Sequence, residues 1–174
     1  MFYLLIKNQL SKHKFSYLDA LDPSSRLEKT LAHGQEKKER RKSDNFNLYA
    51  INLMSTPAHC VQKETPLPEV KKLMREKEIR HIPVLDSAQL VGLISDRDLL
   101  KLDSSGTFSF LKANEIMSDL LIATDEESSL EELACVLATE KVSCLPVIDQ
   151  EKKVVGIISY IDLLSALKKY RLIP

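Results

Sequence analysis

The residues best suited to chemistry in this 174-residue chain occur twice. Gly92-Leu93-Ile94-Ser95-Asp96-Arg97-Asp98-Leu99-Leu100 returns as Gly156-Ile157-Ile158-Ser159-Tyr160-Ile161-Asp162-Leu163-Leu164, with Gly, Ser, Asp and both leucines in matching slots. In each copy a serine stands three residues before an aspartate, where an apolar run gives way to a helical pattern. Ser-x-x-Asp at a helix start is close to a capping box: the hydroxyl satisfies an orphan backbone N–H and the acid favours the positive end of the helix. Such a cap contributes about 1 kcal/mol with nothing bound. Acids in equivalent places of two repeats suit symmetric binding better than the unlike acid and base roles of a hydrolytic pair. The chain has no G-x-S-x-G, no P-loop and no G-x-G-x-x-G, and only four glycines in all, so catalysis is not expected.

The duplication reaches upstream. Leu53-Met54-Ser55 answers Ile116-Met117-Ser118, and Ile79-Arg80-His81-Ile82-Pro83-Val84-Leu85-Asp86 answers Val142-Ser143-Cys144-Leu145-Pro146-Val147-Ile148-Asp149. The step is 63 between the prolines (146 less 83) and 64 between the glycines (156 less 92), which puts one inserted residue in the intervening turn. Self-similarity of this kind is settled before any other reading, and two copies point to a pseudo-symmetric pair.

The elements that position these segments follow from pattern. An amphipathic helix is expected from Leu67 or Pro68, where proline suits the first turn, with Val70, Leu73 and Met74 at i, i+3 and i+4. Its counterpart is capped by Ser128 or Ser129, has Glu131 and Glu132 in its first turn, and carries the stripe Leu130, Leu133, Ala134 and Leu137. Two strands follow in each copy, Ile82 to Leu85 with Leu90 to Ile94, and Leu145 to Ile148 with Val154 to Ile158, joined as hairpins. Ile82, Val84, Ile94, Leu145, Val147 and Ile158 alternate as inward core positions. Pro83 and Pro146 argue for an edge strand or a strand start. A helix then begins at Ser95 or Ser159. Each repeat reads strand, helix, strand, strand, helix, too small to hold a core well alone. The fold class expected is α+β, two such repeats packed through their sheets.

The boundaries drawn are 1–48 for an N-terminal extension and charged linker, 49–109 for the first repeat and 110–170 for the second. In the extension, Phe2 to Ile6 is strand-like, and Ser24 or Ser25 could cap a short helix from Arg26 to His33, stopped by Gly34. Net charge is zero overall, but residues 1–50 hold ten Lys/Arg against six Asp/Glu (+4) and residues 51–174 fifteen against nineteen (−4). Much of the excess lies in Glu36-Lys37-Lys38-Glu39-Arg40-Arg41-Lys42, read as a solvated linker. Nucleic acid is not the expected partner, because the run carries two glutamates and no aromatic to stack on a base. Met1 to Ile6 is too short to span a bilayer and lacks the flank and cleavage site of a signal peptide, so no membrane role is expected. Cys60, Cys135 and Cys144 are odd in number and widely spaced, which suits the cytoplasm. His59 beside Cys60 is the suggestive metal-ligand pair, but neighbours on an extended chain face opposite ways and no second pair follows.

From Ile51 to Lys168, about two thirds of the chain, the pattern resembles a tandem pair of cystathionine-beta-synthase (CBS) domains, a Bateman module. It rests on h-P-V-h-D followed by G-h-h-[ST]-x-x-D-h-h, in order and in both copies. The resemblance implies a regulatory module whose two clefts hold AMP, ADP, ATP or S-adenosylmethionine without any required cofactor. It further implies a homodimer, and a regulated protein in another polypeptide. It places Asp98 and Asp162 on ribose hydroxyls, with Ser95 and Ser159 near ribose and phosphate. That chemistry is sound: a carboxylate can accept from two vicinal hydroxyls, and a hydroxyl at a helix N-terminus joins free N–H groups in meeting an anion. Arg97 could meet a phosphate at the mouth of the first cleft, whereas Ile161 offers an anion nothing, so a phosphorylated ligand is expected to prefer the first. The strand region His81, Ile82 and Pro83, with Cys144, Leu145 and Pro146, is implied as pocket wall; His81 read plainly is a half-buried histidine and Cys144 a small core hydrophobe. The alternative is a ligand-free dimerisation or assembly module built on the same pair.

Overall fold

The structure is a computed structural model, described here for residues 1–21, 48–102 and 108–170. The proposed helix from Arg26 to His33 and the basic run at 36–42 lie outside the described residues.

Fourteen elements carry the argument. They are β1 (Phe2–Ile6), β2 (Gln9–His13), α1 (Ala50–Leu53), β3 (Val61–Gln62), α2 (Leu67–Lys77), β4 (His81–Asp86), β5 (Gln89–Ser95), α3 (Asp96–Leu102), α4 (Ala113–Ile116), β6 (Leu120–Asp125), α5 (Leu130–Thr139), β7 (Cys144–Ile148), β8 (Val154–Ser159) and α6 (Tyr160–Lys169). Short 3-10 turns cover Ser16–Leu21 and Phe108–Phe110. The first repeat forms a three-stranded sheet, β3-β4-β5, and the second contributes to a five-stranded sheet, β2-β1-β6-β7-β8.

The helices form as their stripes dictate. Leu67 and Val70 of α2 are fully buried, and Pro68 sits in the first turn. Ser129 caps α5 reciprocally, its hydroxyl accepting from the Glu132 amide at 3.3 Å while the Glu132 carboxylate accepts from the Ser129 amide at 2.8 Å. The hairpins β4–β5 and β7–β8 carry a bulge at the same place, and the extra residue of the second copy lies in its turn. Leu85 pairs with Leu90 across four residues and Ile148 with Val154 across five.

The prolines correct an expectation. Pro83 and Pro146 stand inside β4 and β7, each the middle strand of a parallel–antiparallel trio, paired to Leu93 and Ile157. They are tolerated because the parallel neighbour joins only one residue later, at Val61↔Val84 and Thr124↔Val147. Each proline therefore meets a ladder on one side.

All six alternating apolar strand residues named from sequence are fully buried. The core has three parts. One packs α2 and α3 on the first sheet, a second packs α5 and α6 on the other, and a third lies between the sheets, with Tyr3, Leu5, Leu90, Leu121, Ala123 and Ile148. The short helices cross over. Ala50 and Leu53 of α1, which opens the first repeat, are buried in the second repeat's core, and Ala113 of α4, which opens the second, in the first's. The motif glycines record the exchange. A Cβ on Gly156 would lie 2.4 Å from the Met54 sulfur, and one on Gly92 2.4 Å from the Met117 sulfur, so each motif lets the other repeat's lead-in approach closely.

Candidate functional site

Both Ser-x-x-Asp segments fold as capped helix starts. The Ser159 amide and hydroxyl donate to Asp162 Oδ2 at 2.7 and 2.6 Å, and the Asp162 amide donates back to Ser159 Oγ at 3.4 Å. In the first copy the Ser95 amide and hydroxyl donate to Asp98 Oδ2 at 3.0 and 2.6 Å. One carboxylate oxygen in each copy is thus committed to the cap, and Oδ1 is the one left for other partners. Here the copies part. Asp162 Oδ1 accepts from the Ser55 hydroxyl at 3.2 Å, a contact from the lead-in of the first repeat to the motif of the second. Asp98 Oδ1 meets Lys101 of its own helix at 3.4 Å, while Ser118, the counterpart of Ser55, donates to the Leu120 carbonyl instead.

Around Asp162 lies a cavity of about 230 Å³. Its walls come from three places: Ser55 and Pro57 to His59 after α1, Glu78 to His81 at the start of β4, and Cys144 with Ile157 and Ser159 to Asp162. The lead-in enters through a two-way bridge, the Ser55 amide donating to the Ile157 carbonyl at 2.9 Å and the Ile157 amide to Ser55 at 3.1 Å. Of the residues expected at a site, Ser159, Asp162, His81 and Cys144 meet here; Ser95, Arg97 and Asp98 do not line this cavity. Ile82 and Leu145 are fully buried in the two helical cores, and Pro83 and Pro146 are buried beside them; none of the four lines this cavity. The guanidinium at the Asp162 cavity is that of Arg80. His59, weighed from sequence only as a metal ligand, is a wall residue. Among the described residues no cluster of three or more His, Cys, Asp or Glu side chains is placed to hold a metal ion. A larger hollow of about 580 Å³ between β2 and α5 contains neither motif.

The titratable groups are tuned by burial. The Asp98 carboxyl is pushed up by burial, but the Ser95 hydroxyl, the Ser95 amide and Lys101 together outweigh it and hold the group below its ordinary value. His81 is held below its ordinary value mainly by burial, with Asp96 pulling the other way, and its Nε2 lies 2.7 Å from Ser143 Oγ across the repeats. Burial and then the Asp162 charge push the Cys144 thiol up to about 12, so it is a neutral wall residue.

Interlocked repeats of this topology, each with a Ser-x-x-Asp helix start behind a bulged hairpin, define a tandem two-repeat α+β fold. The chain belongs to the CBS domain family, which matches residues 50–105 and 113–169. It is similar to the CBS domain-containing protein CBSX1, chloroplastic, of Arabidopsis thaliana, 30% identical over an alignment 193 positions long that covers 90% of this chain and 82% of that one. Among solved structures it is similar to CBSX2 of Arabidopsis thaliana in complex with AMP, with 26% identity and a TM-score of 0.63 over 71% of this chain and 98% of that one. It is likewise similar to the CBS domain pair of protein MJ0100 in complex with 5-methylthioadenosine and S-adenosyl-L-methionine, with 25% identity and a TM-score of 0.64 over 72% of this chain and 98% of that one. Other relatives are much longer: the chain spans 26% of the homoserine O-acetyltransferase of Methanohalobium evestigatum. No helix among the described residues is long and apolar enough to cross a membrane.

Proposed function

We propose that the chain is a non-catalytic regulatory module that takes an adenosine-containing ligand in the Asp162 cleft and reports its presence to a partner protein. The observation that carries this reading is the Asp162 carboxylate, with one oxygen fixed by the helix cap and the other at a cavity walled by both repeats. Ribose hydroxyls meet that second oxygen. Arg80 supplies a guanidinium to the wall, which favours AMP, ADP or ATP over S-adenosylmethionine. A volume of about 230 Å³ is below the roughly 300 Å³ at which ligand pockets begin, so a nucleoside fills it and a phosphate tail projects from the mouth. The ligands named for CBSX2 and MJ0100 support the adenosine class. A ligand bridging the two repeats stabilises one arrangement of them over another, which is what signalling requires. The working unit is a homodimer in the cytoplasm, with the regulated activity in another polypeptide.

The test is thermal unfolding with AMP, ADP, ATP and S-adenosylmethionine, beside Asp162→Ala and Asp98→Ala. At 100 times its dissociation constant a ligand stabilises the native state by about 2.7 kcal/mol, a shift of several degrees. A shift that is lost in Asp162→Ala and kept in Asp98→Ala is the expected outcome. No shift with any of the four supports a ligand-free assembly module, in which the Ser-x-x-Asp pairs serve only to hold their helix starts.

A further inference from the structure

The two clefts differ in what faces the free carboxylate oxygen, and that difference carries a statement about ligand chemistry. We propose that Ser55 and Asp162, joined across the repeats, form a two-point receiver for an unmodified vicinal diol, and that the Asp98 cleft lacks one. This rests on the adenosine reading above and concerns which nucleosides it admits.

Asp162 Oδ2 already accepts two short hydrogen bonds from Ser159, so Oδ1 is the oxygen left for a ligand. The Ser55 hydroxyl donates to Oδ1 at 3.2 Å, which fixes the carboxylate and leaves the serine oxygen with acceptor capacity of its own. Two acceptors side by side, Asp162 Oδ1 and Ser55 Oγ, match two adjacent O–H donors. The 2′-hydroxyl donates to Ser55 Oγ and the 3′-hydroxyl to Asp162 Oδ1. A 2′-deoxyribose leaves one acceptor unmet, and a 2′- or 3′-phosphate brings negative charge against the carboxylate, so both are disfavoured. Ser55 is itself held in place by the paired backbone bonds to Ile157, and both residues line the cavity. At the Asp98 cleft the equivalent hydroxyl, Ser118 of the second repeat, is turned to the Leu120 carbonyl, and Asp98 Oδ1 faces an ammonium, which presents donors where a diol needs acceptors.

Ser55 is thus a positioning and selecting residue, and the readout is a ratio rather than a stability. Calorimetric titration of the full chain with AMP and with 2′-deoxy-AMP measures it. For the unsubstituted chain AMP binds roughly tenfold tighter than the deoxy form, the worth of one hydrogen bond to a charged pair. In Ser55→Ala that ratio falls toward unity, Ser55→Thr restores it, and Ser118→Ala leaves it unchanged. If Ser55→Ala weakens both ligands equally, or the ratio survives the substitution, the receiver is overturned while the adenosine reading stands. If the unsubstituted chain binds neither nucleotide, the adenosine reading fails and takes this inference with it.

Discussion

The two repeats answer each other almost residue for residue in sequence, yet one stands on a three-stranded sheet and the other on five strands. The difference begins at one edge. In the second repeat Leu120 to Thr124 pairs along its length with β1, from Ile6 to Phe2. The matching stretch of the first repeat, 57–61, has no strand along that edge among the described residues, and its Pro57, Ala58 and His59 line the cavity. A segment whose edge is taken up by a neighbour is held straight in the ladder, while its free twin is available to a ligand. An added hairpin at one end of the chain therefore makes two pseudo-equivalent clefts unequal.

The largest effect that bears on this comparison is expected at Leu5. It is fully buried between the sheets with Leu90 of the first repeat and Leu121 and Ile148 of the second. Leu5→Ala should cost about 2–5 kcal/mol in denaturant unfolding, in one transition for the whole chain. Two transitions, with the first repeat unmoved, would break the picture of a hairpin that ties both repeats together. Next in size are the motif glycines. Gly92→Ala and Gly156→Ala each drive a methyl into a methionine and should cost roughly 1–3 kcal/mol. Shortening Met54 to Ala should relieve the Gly156 substitution and leave the Gly92 one unrelieved, a cycle that isolates one interlock from the other.

The smallest effect is in pH. His81 and Cys144 hold equivalent places, but only the histidine changes charge near neutrality, since the thiol is pushed to about 12. Burial holds His81 below its ordinary 6.5 in the folded chain, with Asp96 and Asp98 opposing it and Arg97 and Arg80 assisting. The unfolded chain therefore takes up the proton first. Stability is fully present above pH 6.5 and falls as pH drops from there through the folded value. The unfolding midpoint should decline as pH falls below 6.5, and His81→Gln should flatten that decline. An equal slope in the variant would assign the decline to other groups. The Asp98 contribution is lost lower, as pH falls below 3.8, and does not overlap this window.

Most of this architecture was legible because its determinants are local. Leu67, Val70 and Met74 lie on one helical face whatever surrounds them, and Ser129 with Glu132 caps a helix by short-range geometry. What was hidden depends on partners distant in sequence. Gln-Leu-Ser-Lys-His of β2 has no alternation and becomes a strand because Lys7 and Asn8, both at positive φ, fold it back on β1. Ala50–Leu53 and Ala113–Ile116 are too short for a helical period to show, and nothing in their residues says that each is buried in the other repeat. The prolines were read by a rule about whole strands, whereas the ladder beside them starts one residue late. At the site, serine and aspartate were visible as a motif, but Ser55 lies 107 residues from Asp162 and carries no signal apart from the methionine–serine pair that both copies share.

The crossed lead-ins have a consequence for what counts as a unit. Cut at its sequence boundary, either half keeps its own opening helix and loses the core in which that helix sits, while its own core lacks the helix that fills it. Two copies of a single half would complete one another only by trading those helices, as arms are exchanged in a domain-swapped dimer. The present chain is that exchange made permanent by covalent connection, so the smallest piece able to stand alone is the pair.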